Sequence, residues 1–65
     1  KEIELNPDGA NVWNNKGTIL EDLGRFQEAL DCYNKSIELQ PNFPEPWNNK
    51  GLALKKLGRH LEALE

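Results

Sequence analysis

The residues whose type and spacing indicate a chemical function are two pairs of asparagines. Asn14-Asn15 recurs thirty-four residues later as Asn48-Asn49, and each pair lies between a tryptophan and Lys-Gly. A side-chain amide carries one acceptor and two donors, so it can bond both polar groups of a peptide unit. Asparagine lowers helix propensity, yet the doubled residue recurs. The pattern predicts a surface that binds peptide backbone, with two alternatives: a solvated polar face, or bonds between neighbouring repeats.

Residue types that catalyse reactions or bind metals are sparse. Cys32 is the one cysteine, has no histidine near it in the sequence, and is expected to be an inert packing thiol. His60, the one histidine, stands where the first repeat has Phe26, and we expect a partly buried packing residue. The sequence has no glycine-rich phosphate loop, HExxH motif or acidic metal-binding loop. We therefore expect no enzyme activity, no cofactor and no metal site.

Length and charge narrow the function further. The chain has 65 residues, enough for one small domain, and a formal net charge of −3. With no basic stripe to displace counterions, nucleic acid is not expected as a partner. No apolar run approaches the roughly 20 residues that a membrane helix needs. The single cysteine excludes an internal disulfide and fits a reducing, cytoplasmic location.

A period of thirty-four residues runs through the sequence. Of the 22 residue pairs that join 10–31 to 44–65, 12 are identical. A fixed period of this size is typical of an array of one supersecondary unit. Such arrays bind partners on an extended surface rather than in a catalytic pocket.

Each period is predicted to contain two helices. Apolar residues recur at helical spacing over 10–23, and Gly24 can adopt the left-handed conformation that ends a helix. The spacing resumes at Phe26 and is stopped by Pro41. Because the connection between them is short, the two helices must be antiparallel neighbours.

The positions of large and small residues within the period carry a known pattern. It consists of a tryptophan, a glycine four residues later, a large residue three later, and then a distant alanine, an aromatic residue and a proline. Here these are Trp13, Gly17, Leu20, Ala29, Tyr33 and Pro41, then Trp47, Gly51, Leu54 and Ala63. The sequence thereby resembles the tetratricopeptide repeat. The resemblance implies an all-α fold in which antiparallel helix-pair repeats of 34 residues form a right-handed α-solenoid, a superhelix.

The helix pair is expected to pack closely because small residues face each other. Gly17 and Ala29 would let the two backbones approach. Lys16 and Lys50 replace the leucine that is usual before the glycine, and we expect their alkyl stems to lie along the helix pair while the ammonium groups reach water. The large core residues are predicted to be Trp13, Leu20, Leu23, Phe26, Leu30, Tyr33 and Ile37, followed by Trp47, Leu54 and Leu57.

The register of the repeat divides the chain into three parts. Residues 1–9 are predicted to be the tail of the second helix of a preceding repeat plus a loop, 10–43 a complete repeat, and 44–65 an incomplete repeat with a first helix and the start of a second. Such a piece leaves apolar faces uncovered at both ends. We therefore expect copies to stack head to tail, with Lys1–Leu5 of one copy continuing the helix begun at His60–Glu65 of another.

The resemblance also implies where a partner binds. In tetratricopeptide arrays the first helices line a concave groove that holds extended peptides, and some arrays carry an asparagine ladder at the places of Asn15 and Asn49. Five positions per repeat are predicted to line the groove: Asn11, Asn14, Asn15, Thr18 and Asp22, then Glu45, Asn48, Asn49, Leu52 and Lys56.

Charged residues are expected to link the repeats. Glu21-Asp22 and Lys55-Lys56 occupy equivalent places with opposite charge. If neighbouring first helices stack nearly parallel, the two pairs face each other. We expect an exposed ion-pair network worth about 0–1 kcal/mol per pair, with recognition of a charged ligand as the alternative.

Taken with the resemblance, these patterns predict a protein–protein interaction module whose partner is a protein or peptide. It would bind an extended peptide or a helix in the concave groove. One alternative is purely architectural, with stacking itself providing spacing or self-assembly. The other is a non-catalytic repeat arm of a larger enzyme.

Overall fold

Three helices account for the regular structure in the part of the chain that is described. The structure, a computed structural model, describes residues 9–64, without the side chains of residues 60 and 62–64. The helices are α1 (Ala10–Asp22), α2 (Phe26–Leu39) and α3 (Pro44–Leu64). The all-α class is therefore confirmed over these residues, and α1 and α2 begin at the predicted positions.

The turn between α1 and α2 depends on Gly24. Its φ of +82° lies in the left-handed region, which a residue with a Cβ adopts only at a cost. The Gly24 N–H donates to the Glu21 carbonyl at 3.0 Å, and the Arg25 N–H donates to the Leu20 carbonyl at 2.9 Å. These two bonds form a Schellman motif and use carbonyls that the helix end leaves free. The prediction that Gly24 ends the first helix is confirmed.

α1 and α2 approach each other where a glycine faces an aromatic ring. The ring of Tyr33 lies over Gly17, so a Cβ built on Gly17 would be 2.5 Å from Tyr33 Cε1. Tyr33 and Ala29 are fully buried, and Leu30 is nearly so. The expected close approach is confirmed, and the space above Gly17 is occupied by the tyrosine ring.

The core is one cluster to which all three helices contribute. Its buried members are Ala29, Leu30, Tyr33 and Ala53, with Leu20 and Leu57 packed against them. α3 lies mainly along α2 and touches α1 less. Ser36 Oγ donates to the Ala10 carbonyl at 2.7 Å in a buried bond. Neither Ser36 nor Ala53 belongs to the predicted core, because the repeat gives Ala53 the same expectation as Ile19, which is exposed.

Three residues of the predicted core are exposed instead, namely Leu23, Trp47 and Leu54. Leu20, the counterpart of Leu54, packs against the cluster that α2 builds on α1. The same face of α3 meets no helix in the described part of the chain. Leu23 has the converse position, since its counterpart Leu57 packs against α2 while Leu23 lies on the outer side of α1. The prediction is wrong for these residues because a repeat residue is buried only where a neighbouring helix covers it.

α3 continues through the second Leu-Gly-Arg sequence without a break. The sequence predicts that a first helix ends near Gly58 and a second begins at His60, but α3 extends to Leu64. Among the described glycines, only Gly24 is left-handed. The six residues 59–64 make less than two helical turns, too few to bury an apolar face by folding back. α2, by contrast, provides 14 residues.

The loop after α2 is attached to α3 by an indole. Trp47 Nε1 donates to the Pro41 carbonyl at 2.9 Å. Trp13 Nε1 is buried without a hydrogen-bond partner among the described residues. The counterpart of Pro41 in the preceding period is Pro7, which lies outside them. The second tryptophan thus sets the position of the loop that leads into α3.

Two further expectations concern the limits of the chain and the lipid bilayer. The predicted helix tail within 1–9 and the predicted junction between Lys1–Leu5 and Glu65 include residues outside the described range. None of the helices, over the residues described, combines the length and the apolar character that a bilayer span requires.

Candidate functional site

The ten predicted groove residues lie on α1 and α3 but do not share one environment. Thr18 and Asn49 are half-buried, and Asn14 is only 3% exposed. The other seven are exposed: Asn11, Asn15, Asp22, Glu45, Asn48, Leu52 and Lys56. The difference arises because α3 lies beside α1 and covers only the side of the α1 face that is nearest to it.

Asn14 is the centre of a hydrogen-bond network between α1 and α3. Its Nδ2 donates to Glu45 Oε1 at 3.3 Å, and its Oδ1 accepts from Asn49 Nδ2 at 2.9 Å. A buried amide without partners costs about 1–3 kcal/mol, so these bonds are needed where Asn14 lies. The prediction that Asn14 faces an open groove is wrong for this chain, because α3 occupies its amide.

The two asparagines of each pair have different positions. Asn15 is exposed, whereas Asn49 donates to Asn14. Asn49 therefore follows the alternative interpretation, in which the asparagines bond between repeats. Since Asn49 is the counterpart of Asn15, the second asparagine of one pair bonds the first asparagine of the preceding pair. Asn15 and Asn48 are the two outer members of this row, and both are exposed.

Replacing Asn14 by alanine should destabilise the chain by about 1–2 kcal/mol, because two amide bonds in a largely buried place are lost. Asn48→Ala is the matched control. It has the same flanking residues but is exposed, so its effect should stay within about 0.5 kcal/mol. Urea unfolding followed by circular dichroism measures both. Equal effects at the two positions would contradict the role of Asn14 as a link between helices.

Glu21 is a further residue of this region that the predicted groove set omits. Its Oε2 accepts from Lys56 Nζ at 2.6 Å, and its Oε1 accepts from the Tyr33 hydroxyl at 2.6 Å. The expected pairing of Glu21-Asp22 with Lys55-Lys56 is confirmed for Glu21 and Lys56. The pair is less exposed than expected, since the Glu21 side chain keeps only 9% exposure. Charge reversal between the repeats indicated this contact, but no sequence signal indicated the bond from Tyr33.

The surroundings of Glu21 favour its charged form. Burial opposes ionisation, but the hydrogen bonds from Lys56 and Tyr33, together with the Lys56 charge, outweigh it and hold the pKa of Glu21 below its usual value. Burial, and secondly the bond to Glu21, raise the pKa of the Tyr33 hydroxyl. Both groups are therefore kept in the states that suit their shared hydrogen bond.

Glu21 should make the fold sensitive to acid. A carboxyl whose pKa is lowered by folding contributes stability above its unfolded pKa, about 4, and loses it as the pH falls through the folded value. Glu21→Gln should therefore lose less stability than the parent between about pH 5 and pH 2, as measured by urea unfolding across this range. Glu38→Gln is the control, since its side chain is 71% exposed. Parallel profiles for the parent and Glu21→Gln would refute this role.

The lysines within the apolar stripe lie against the tryptophan rings. Lys16 Nζ is 5.3 Å from the centroid of Trp13, and Lys50 Nζ is 5.9 Å from that of Trp47. These distances allow a cation–π interaction. Each ammonium group therefore has an electrostatic partner on its own helix as well as access to water.

The described residues give no indication of a catalytic or metal site. Cys32 is buried, as predicted. Burial, chiefly, and the nearby Asp31 and Glu28 raise the pKa of its thiol against the opposing effect of Lys16, which disfavours the reactive thiolate. Across the residues that were searched, no three His, Cys, Asp or Glu side chains lie together as a metal site would require. The side chain of His60 lies outside the described ones.

Comparison with known proteins identifies the family. Two models of the tetratricopeptide repeat match the chain, one over residues 10–43 and one over 32–65. An uncharacterized protein of Methanocaldococcus jannaschii is 48% identical over 33 residues, which make up 51% of this chain and 38% of that protein. No solved structure gives a significant match. The two family matches together span all three helices, and the chain belongs to the tetratricopeptide repeat family.

Proposed function

We propose that this chain is a protein-interaction module that binds an extended peptide or a helix along a concave face formed by α1 and α3. Tetratricopeptide repeats are generally protein-interaction modules, so a protein or peptide is the expected class of partner. The observation that carries the proposal is the exposure of Asn11, Asn15 and Asn48 on these two helices. Asparagine weakens a helix, and an exposed amide can bond the backbone of a ligand.

The proposed groove has a fixed part and an accessible part. Asn14 and Asn49 join α1 to α3 and thereby set the distance between the helices. A ligand would meet the exposed asparagine side chains, together with Leu52, which is 52% exposed and offers an apolar contact. Asn14 would act indirectly, by holding α3 in place.

The contacts between α1 and α3 support a longer array of the same kind. The Asn14–Asn49 bond and the Glu21–Lys56 pair both join residues 35 positions apart. With a period of thirty-four residues, the same contacts can recur from one repeat to the next. We infer a right-handed α-solenoid in which 10–43 is one complete repeat. The lone, buried Cys32 is compatible with a reducing, cytoplasmic setting.

A purely architectural role is the second candidate, in which stacking of repeats or head-to-tail association of copies is itself the function. The Asn14–Asn49 bond favours it, because that bond uses recognition-type side chains between helices. The two candidates differ in what they require of the exposed asparagines. Peptide binding needs them, whereas stacking needs only the buried network and the apolar ends.

Selection from a library of short random peptides tests the proposal. The full chain is the target, and affinities of the selected peptides are measured by fluorescence anisotropy. In a variant that combines Asn11→Ala, Asn15→Ala and Asn48→Ala, the affinity should fall at least about tenfold, since each lost hydrogen bond contributes about 0.5–1.5 kcal/mol. Helicity should be retained, because alanine is the stronger helix former.

Asn34→Ala is the matched control, because Asn34 is an exposed asparagine on α2. It should bind the selected peptides as tightly as the parent does. If the triple variant also keeps the parent affinity, the groove proposal is wrong. A library that yields no peptide for the parent chain would favour the architectural role.

A further inference from the structure

A row of apolar side chains on α3 lies open to solvent. Trp47, Leu54 and Leu61 are 51%, 50% and 53% exposed. Gly51 and Gly58 lie on the same side of the helix, at spacings of three and four residues from them. A Cβ added to either glycine would meet nothing within 4 Å. These five residues are called the α3 stripe below.

α1 carries the first three residues of this stripe in the same order, and there they are covered. Trp13 and Leu20 are half-buried, and Gly17 is buried. The space above Gly17 is filled by the ring of Tyr33 from α2. α1 therefore demonstrates which partner such a surface accepts, namely an amphipathic helix that places an aromatic ring over the glycine.

We propose that the α3 stripe binds an acidic amphipathic helix in the way that α1 binds α2, with an aromatic side chain of that helix over Gly51. Gly51 determines the specificity of this contact, because a side chain there would fill the space that the ring needs. The stripe is separate from the proposed groove, whose residues lie on another face of the same helix. The chain thus has a second interaction surface, for a helix rather than an extended peptide.

Charge determines the character of the incoming helix. Lys50 and Lys55 flank the α3 stripe, and Arg59 follows one turn after Lys55. On α1, the residue beside the glycine is Glu21, which accepts a hydrogen bond from Tyr33. Its counterpart on α3 is Lys55, whose ammonium can only donate. A partner with carboxylates along its edges therefore complements α3, and α2 itself carries three carboxylates and one lysine.

The same charges argue against a second copy of α3 as the occupant. Two α3 helices packed stripe to stripe would bring the flanking Lys50 and Lys55 of one copy near those of the other. Like charges that face each other across an interface are unfavourable and suppress that pairing. An acidic helix avoids this repulsion and gains from the same lysines.

A peptide with the sequence of residues 26–39 is the direct probe, because it has the required pattern and net negative charge. Labelled with fluorescein at its N-terminus, it is titrated with the full chain, and the anisotropy gives the dissociation constant. Gly51→Ala should weaken binding at least about tenfold, because the added methyl group overpacks the contact. Lys55→Glu should also weaken binding, and the difference from the parent should shrink at high salt.

Three controls make the result specific. Gly51→Ala should fold as well as the parent, since its position is open in the free chain. Asn15→Ala should keep the parent affinity, which separates this surface from the proposed groove. A peptide with alanine in place of Tyr33 should bind at least about tenfold more weakly, because the ring fills the space over the glycine.

Two outcomes would overturn the proposal. One is equal affinity of the peptide for the parent and for Gly51→Ala. The other is sedimentation showing that the chain pairs with itself in a manner that Gly51→Ala abolishes, since the occupant would then be a second copy.

Discussion

Replacing Gly17 by alanine should destabilise the fold by about 1–3 kcal/mol, whereas the same change at Gly51 should be neutral or stabilise by up to about 1 kcal/mol. Both glycines follow the same Trp-Asn-Asn-Lys sequence. A Cβ at Gly17 would lie 2.5 Å and 2.7 Å from two ring carbons of Tyr33, but a Cβ at Gly51 would meet open space. Because Tyr33 is fully buried, its ring cannot move aside without disturbing the contact between α1 and α2.

The comparison of the two glycines isolates this contact from helix propensity. Glycine to alanine raises helix propensity at both positions, so that contribution cancels in the difference between the two variants. Urea unfolding followed by circular dichroism gives both free energies of unfolding. If Gly17→Ala were as stable as Gly51→Ala, α2 would not pack on Gly17 as described.

Tyr33→Ala should have the largest effect, a loss of about 3–5 kcal/mol. Tyr33 is the largest of the fully buried side chains. It lies in the cluster to which Ala53 of α3 also belongs, so its removal leaves a cavity where the helices meet. The lower end of protein stability is about 5 kcal/mol, and we therefore expect this variant to be largely unfolded.

Tyr33→Phe separates the ring from the hydroxyl. It keeps the packing over Gly17 but removes the bond to Glu21, so the expected cost is about 1–2 kcal/mol. Thermal unfolding of both variants, followed by near-ultraviolet circular dichroism, measures the two effects. A cooperative transition of Tyr33→Ala near that of the parent would mean that the α1–α2 contact does not depend on this ring.

The starts of α1 and α2 and the turn between them could be predicted because their signals are local. Apolar spacing places the helices, and Gly24 supplies the left-handed residue that ends the first. The two asparagines of each pair could not be distinguished in this way. Asn14 and Asn15 both border the same helix face, and the position of α3 decides that Asn14 is buried while Asn15 is exposed.

The misplaced residues of α3 have a common cause. Trp47 and Leu54 repeat the core residues of α1, and Gly58 repeats the glycine that ends α1. A period in the sequence predicts equal environments for equivalent residues. Their environments differ because α2 covers this face of α1, and no described helix covers the same face of α3. Burial in a repeat protein is set by the neighbouring repeat as much as by the residue itself.

The side-chain amide signals of the asparagines, recorded by NMR with and without a selected peptide, test the proposed groove most directly. We predict that the signals of Asn11, Asn15 and Asn48 shift on binding, because these side chains are exposed on α1 and α3. The signal of Asn14 should change little, since its amide is buried and bonded to α3. Saturating peptide that leaves Asn11, Asn15 and Asn48 unchanged, or shifts only Asn34 on α2, would contradict the account.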